Sequence, residues 1–467
     1  MLIKSTIIYL LSSLIEKGIM FLLIPIYTRY LTVSEYGEYS LILSVLSILV
    51  VLFTLSLSGS ASRFHFDGDE NYEKLHYGNI YGLVLLISFS LILLSIIFIK
   101  IFEIDLRNTF IYNYFYQIIS ISFLASIFQI HLQKLQMEYK ALSYGLLSIL
   151  KSIITTITSI ILLVYFDLKI EAILFAMIIG LLSVDIFILY YLIKNNYKLN
   201  LNKKLSKKNI NYSKNLILHN LSSIAIQFID KFFITYLVNI SQTGIYSLGA
   251  QVTIILSIIN TSINKSLVPK TLESFKSKNY NYLIDLATIT ILITIIFAIL
   301  LSLFGPELIL LIAPILYKDS WIVIPFLSFY FVFQMYYYRM AGVLFFKEEA
   351  TKYISLTTLV SLILNIILNY TLIKWWGIKG AAIASLTSMA IINYIVIYIS
   401  SKYIKIKFAH YKIHLYIILG FIISNINFLY YFQILEKIII FSLTICFYLF
   451  MEYKNPLLNN FIRKVIK

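Results

Sequence analysis

Eight ionisable side chains fall inside or at the edges of long apolar runs: Glu16, Lys17, Lys151, Asp185, Asp230, Lys231, Lys265 and Arg339. A charge carried to the middle of a bilayer costs at least about 2.5–3.5 kcal/mol, so such groups are paired, snorkelled to a surface or turned to a wet cavity. The cations Lys17, Lys151, Lys231 and Arg339, with Arg29 and Arg63 at the ends of the first two runs, suit a phosphorylated anion. Arginine offers a planar fork and lysine a point charge that replace the water around phosphate. Neighbouring Asn, Ser, Thr and Tyr could bind sugar hydroxyls. The carboxylates Glu16, Asp185 and Asp230 suit another task, because a carboxylate out of water takes up a proton or holds a cation such as Na⁺. The bland alternative for every one of these residues is an interhelical ion pair or an end charge at the interface; Lys265 lies nearest a membrane face. Glu16 with Lys17 and Asp230 with Lys231 are adjacent, about 100° apart on a helix, so neither pair meets squarely.

The runs that must position these groups dominate the chain. Of 467 residues 60% are hydrophobic and 13% charged, whereas soluble domains carry about 25% charged residues. The apolar runs are about 20 residues long, enough to cross roughly 30 Å of hydrocarbon as helix and unlike the ten-residue alternating segments of an outer-membrane barrel. The expected fold is an all-α polytopic membrane protein with about 14 transmembrane helices. What remains for loops is too little for a soluble catalytic domain, so an enzyme is not expected. The first run carries Glu16 and Lys17 and lacks a cleavage-site pattern, so it reads as a retained helix. The lone Cys446 reads as a small core residue.

The net charge of +16 does not point to nucleic acid, because of where it lies. Alternating the spans from a cytoplasmic N-terminus puts about 25 Lys/Arg on the cytoplasmic side and about 8 outside. The segment from Lys194 to Lys214 alone holds Lys194, Lys198, Lys203, Lys204, Lys207, Lys208 and Lys214 and no acid. It reads as an orientation signal and linker, or as a recognition site for anionic lipid headgroups. Both termini are expected in the cytoplasm.

An internal repeat organises the spans. LTVSEYGEYSL from Leu31 returns as VNISQTGIYSL from Val238, matching Ser34 with Ser241, Gly37 with Gly244, Tyr39 with Tyr246, Ser40 with Ser247 and Leu41 with Leu248. LKIEAI from Leu168 returns as IKGAAI from Ile378. The copies are separated by an even number of spans, so they share an orientation, as in transporters built from parallel repeats. The expected organisation is a six-helix lobe over 1–193, a basic cytoplasmic linker over 194–214, a second six-helix lobe over 215–401, and two further helices with a basic tail over 402–467. Gly37 and Gly244 read as tight turns before a span, and the acidic stretch from Asp67 to His76 as a solvated loop with no metal-binding pattern. Pro25 reads as a hinge or a static kink.

These residues carry a resemblance. PIYTRYLTVSEYGEYSL from Pro25, SLSGSASRFHFD from Ser56, FIDKFFITYLVNISQTGIYSLGAQV from Phe228 and WGIKGAAIASL from Trp376 are similar to recurring motifs of Wzx-like polysaccharide flippases. Those proteins belong to the multidrug/oligosaccharidyl-lipid/polysaccharide exporter superfamily. The resemblance implies two six-helix lobes about a central cavity and alternating access. It also implies export of an undecaprenyl-pyrophosphate-linked oligosaccharide across the bacterial inner membrane for O-antigen or capsule synthesis, alongside membrane lipids and a polysaccharide polymerase. Asp230 and Lys231 fall on its seventh-helix motif and Lys17 in its first-helix stretch. No cofactor is expected beyond H⁺ or Na⁺ as a coupling ion. A cation-coupled multidrug exporter, a lipid II flippase and a polytopic glycosyltransferase are the other readings. The excess of in-span cations disfavours the multidrug exporter, and short loops disfavour the glycosyltransferase.

Overall fold

The computed structural model describes residues 2–102, 109–346, 352–404, 410–430, 432–453 and 455–456. Among them the chain is helical throughout and contains no strand. It divides into two compact units, Met1–Phe228 and Ile229–Lys467. The first holds α1 (Leu2–Tyr30), α2 (Val33–Thr54), α3 (Leu57–Arg63), α4 (Glu70–Ile101), α5 (Phe110–Asn113), α6 (Phe115–Met137), α7 (Ala141–Phe166) and α8 (Lys169–Lys194). α9 (Lys203–Leu237) begins in the first unit and ends in the second. The second continues with α10 (Ile240–Lys276), α11 (Tyr280–Leu303), α12 (Gly305–Ile312), a 3-10 segment Ile315–Val323, α13 (Ile324–Phe346), α14 (Lys352–Tyr403), α15 (His410–Ser424) and α16 (Ile434–Met451).

Eleven of the described helices are long and apolar enough to cross a membrane. One of them, within α14, folds back on itself. Gly377 stands at φ 54°, where L side chains are strained, and Asn365 reaches Ser385 and Ser388 at 3.4 and 3.3 Å although 20 and 23 residues apart. In a straight helix they would be roughly 30 Å apart at 1.5 Å per residue. α14 is therefore a hairpin of two crossings, which with α1 and α9 accounts for the fourteen expected spans. Many large apolar side chains, among them Phe89, Leu94, Ile186 and Leu443, are exposed, as lipid-facing surfaces require.

The repeat marks equivalent helix starts. Thr32 caps α2: its Oγ1 accepts from the Glu35 amide at 3.2 Å while Glu35 Oε2 accepts from the Thr32 amide at 2.8 Å. Asn239 caps α10 by accepting from the Gln242 amide at 2.8 Å. These are the same two positions of the motif, each satisfying helix-start N–H groups that hydrocarbon would leave bare. Gly37 and Gly244 consequently lie one turn inside α2 and α10 at buried positions, not in the turns their sequence context suggests. The corner between spans five and six repeats too, with Asp167 left-handed at φ 50° where the second unit has Gly377.

Other expectations change. The second span is broken, since α2 ends at Thr54, Leu55 and Ser56 are left-handed, and α3 resumes at Leu57. The acidic stretch after Asp67 is mostly helix: Asp69 caps α4 by accepting from the Tyr72 amide at 3.0 Å, and His76 is buried between the rings of Phe64, Tyr72 and Tyr77. Cys446 is exposed on α16, not in the core.

Candidate functional site

In the second unit α9 delivers Asp230 to a site closed by three neutral donors. The capped start of α10 brings Tyr246 back towards α9, and the α14 hairpin presents Asn369 from one arm and Ser385 from the other. Tyr246 and Ser385 donate to Oδ2 at 2.5 and 2.7 Å, and Asn369 donates to Oδ1 at 2.8 Å. The carboxylate is 4% exposed. Asn365 Oδ1 in turn accepts from Asn369 at 2.9 Å, so the ladder runs along the hairpin. Three donors on one carboxylate are the arrangement that holds an anion out of water. Asn369 Oδ1 has no hydrogen-bond donor of its own. With the Asp230 carboxylate and the Ser385 hydroxyl it makes a set of oxygen ligands of the kind hard cations take.

Lys231, next in sequence, is half-buried, and its carbonyl accepts from Thr235 at 2.9 Å and Thr243 at 3.4 Å. Arg339 on α13 is 8% exposed and donates through Nη2 to Asn264 Oδ1 of α10. Among the described residues no carboxylate lies within ion-pair distance of this guanidinium, and its Nε has no acceptor. Burying a guanidinium with only a neutral amide leaves most of its charge uncompensated, so the position favours an anion from outside the protein. Lys265 is exposed.

In the first unit the structure pairs two candidates of opposite sign. Lys151 Nζ of α7 meets Glu16 Oε1 of α1 at 2.8 Å and lies 5.2 Å from the Phe128 ring centre. Asp185 on α8 is 3% exposed, and neither carboxylate oxygen has a hydrogen bond among the described residues. Lys17 and Arg29 are exposed on α1. Arg63 is exposed at the end of α3, 3.8 Å from Asp67.

The equivalent of the Asp230 site in the first unit is uncharged. Tyr39, the repeat partner of Tyr246, packs edge-on against Tyr27 with ring centres 5.7 Å apart, and Tyr27 donates to Ser159 at 3.2 Å. At the same repeat offset Leu23 stands where the second unit has Asp230. Sequence reasoning missed Asn264, Asn365, Asn369 and Ser385. Ser385 is the penultimate residue of the WGIKGAAIASL motif and Tyr246 sits in the repeat, so two of the three donors to Asp230 lay within quoted motifs; the asparagines carried no local signal.

A family model described as polysaccharide biosynthesis protein matches residues 2–275. A Haloferax volcanii protein named a probable low-salt glycan biosynthesis flippase, Agl15, is 24% identical over 428 residues, covering 88% of this chain and 86% of that one. The solved structure of the lipid II flippase MurJ in an inward closed conformation superposes with a TM-score of 0.73 at 16% identity, covering 96% of this chain and 99% of that chain. An inward-facing multidrug resistance MATE family transporter of the MOP superfamily superposes with a TM-score of 0.66 at 13% identity, covering 86% and 95%.

Proposed function

The chain belongs to the polysaccharide biosynthesis protein family, and from that premise we propose that it flips an undecaprenyl-pyrophosphate-linked oligosaccharide across the bacterial inner membrane by alternating access. The repeat units so exported feed O-antigen or capsule assembly, with a polysaccharide polymerase taking them on the far side. The protein is a membrane flippase that makes and breaks no bond in its cargo. Both termini lie in the cytoplasm, on the side of the basic segment from Lys194 to Lys214.

Arg339 is the observation that carries this reading. A buried guanidinium whose hydrogen bond among the described residues goes to Asn264 is stabilised when a diphosphate arrives, because two oxygens of one phosphate match its fork. Lys17, Arg29, Arg63 and Lys231 supply further positive charge along the cargo's route. Lys151 contributes less, since Glu16 already neutralises it.

Cation coupling is supported by Asp230. Its carboxylate, Asn369 Oδ1 and Ser385 Oγ would hold Na⁺, or the carboxylate a proton, and loading there would bias α9, α10 and the α14 hairpin towards one conformation. Asp185 is the second coupling candidate, a buried carboxylate without a hydrogen-bond donor among the described residues. Glu16 is the weakest because it is committed to Lys151.

Proteoliposomes test the cargo. Undecaprenyl-pyrophosphate oligosaccharide is expected to cross faster than lipid II, and a fluorescent organic cation not at all. Faster transport of lipid II would make the chain a peptidoglycan precursor flippase, and export of the organic cation alone would make it a multidrug exporter. Either result overturns the proposal.

A further inference from the structure

We propose that the outward face of the first turns of α9 binds anionic phospholipid headgroups at the membrane surface where that helix begins. The inference concerns the surrounding lipid and stands whatever cargo is carried.

The segment is fixed in one orientation. Asn200 N donates to the Gly78 carbonyl at 3.3 Å, and Asn200 Nδ2 to the Leu75 carbonyl at 3.0 Å, docking the connection before α9 along α4. A Cβ at Gly78 would run into the Lys198 carbonyl, so this approach requires glycine there. One turn into α9, Asn79 Nδ2 donates to Ser206 Oγ at 2.9 Å, and Asn209 Nδ2 donates to Asn79 Oδ1 at 3.1 Å. Asn209 and Ser213 are buried. The inward face of these turns is therefore polar and packed against α4, which decides what points outward.

The outward face is basic. Lys203, Lys204, Lys207 and Lys214 are all exposed, and none is in an ion pair among the described residues. At about 100° per residue, Lys203, Lys207 and Lys214 fall within about 40° of one another and form a stripe along the helix. The nearby acid Asp67 is already engaged by Lys208 at 2.7 Å, with the Lys208 ammonium 4.1 Å from the Phe64 ring centre. Exposed apolar side chains accompany the stripe: Ile210 on α9, and Leu199 and Leu201 just before it. A face turned only to water would not need them. Lysines interleaved with exposed apolar groups on an element fixed beside membrane-spanning helices fit the headgroup level, where the stems lie along acyl chains and the ammonium groups reach phosphate. Zwitterionic headgroups offer no net charge to such a stripe, and anionic ones do. The expected gain is about fivefold in preference per lysine near the surface, on the order of 100-fold for three.

The full chain in nanodiscs of phosphatidylcholine with phosphatidylglycerol, extracted and weighed by native mass spectrometry, tests this. The wild type should retain phosphatidylglycerol over phosphatidylcholine. K203Q/K207Q/K214Q should lose that preference on the order of 100-fold, and K318Q/K374Q, which removes exposed lysines elsewhere, should keep it. No preference in the wild type, or an equal loss in both variants, overturns the proposal. Should the triple variant fail to fold, salt decides: the wild-type preference must collapse as the screening length falls from about 10 Å at 0.1 M to about 3 Å at 1 M, and persistence at 1 M contradicts it.

Discussion

The Tyr246 hydroxyl donates to the Asp230 carboxylate at 2.5 Å, joining a matched position of the repeated span-opening motif to a charge sixteen residues earlier on the preceding helix. Lys231 is adjacent in sequence, but about 100° around the helix, so it does not face the carboxylate squarely. The carboxylate is instead held by three uncharged donors from α10 and the two arms of α14. The carboxylate is thus satisfied by neutral hydrogen-bond donors, the arrangement that the proposed cation site needs.

Asp230→Asn tests that site. The new amide presents hydrogens where three donors already point, leaving at least one buried donor unpaired at about 1–3 kcal/mol. The expected outcome is a lowered unfolding midpoint in detergent, together with transport that no longer responds to collapse of the H⁺ or the Na⁺ gradient. A variant whose transport keeps the wild-type gradient dependence would remove Asp230 from coupling.

Glu16 and Lys151 form a pair across α1 and α7. Removing one partner strands the other, so Lys151→Ala and Glu16→Ala should each destabilise more than the double substitution does. A double-mutant cycle on unfolding midpoints reads the coupling directly; strictly additive losses would mean the pair contributes nothing.

Lys134 on α6 is fully buried between Glu138, Glu73 at 3.6 Å, and the rings of Tyr77, Tyr191 and Tyr197, whose centres lie 5.4, 5.1 and 4.7 Å from its ammonium. Lys134→Met leaves Glu138 to Lys140 at 2.9 Å and removes the cation beside Glu73, and should cost about 3 kcal/mol. Burial pushes the Glu138 carboxyl up, but Lys134 and Lys140 outweigh it and hold the group below the usual glutamate range. A depressed folded value stabilises the protein above the unfolded value of about 4.3 and ceases to do so as the pH falls through the folded one. Unfolding midpoints measured from pH 6 down to pH 3 should therefore drop in the wild type, and the drop should be smaller in Lys134→Met.

The two corner positions predict opposite signs. Gly377→Ala forces a side chain into a conformation that only glycine adopts readily (φ 54°, ψ −134°) and should destabilise by about 1–3 kcal/mol, whereas Asp167→Gly relieves a milder left-handed strain (φ 50°, ψ 34°) and should stabilise by about 0.5–1 kcal/mol. Thermal unfolding of both variants checks the pair; equal signs would contradict the equivalence of the corners.

What was legible in the sequence follows from how local each signal is. Apolar runs report crossings because hydrocarbon thickness sets their length, and the repeat shows through because Thr32–Glu35 and Asn239–Gln242 must cap equivalent helices. Partnerships were not legible. Asp230 meets Asn369 and Ser385 from 139 and 155 residues away, and Glu16 meets Lys151 from 135. No spacing rule along one helix can reveal such contacts. Gly37 and Gly244 misled because a glycine after polar residues resembles a turn, although a capped helix had already begun. The break at Leu55 and Ser56 has no glycine or proline to announce it.

Transport by Arg339 variants tests most directly whether this buried guanidinium, which has no carboxylate partner among the described residues, receives the diphosphate of the cargo. Proteoliposomes containing equal amounts of folded wild type, Arg339→Lys and Arg339→Ala should translocate undecaprenyl-pyrophosphate oligosaccharide in that order. The alanine variant should be slowed roughly 10- to 100-fold, as loss of a charge-assisted hydrogen bond implies. Wild-type rates in the alanine variant at matched abundance would contradict the claim.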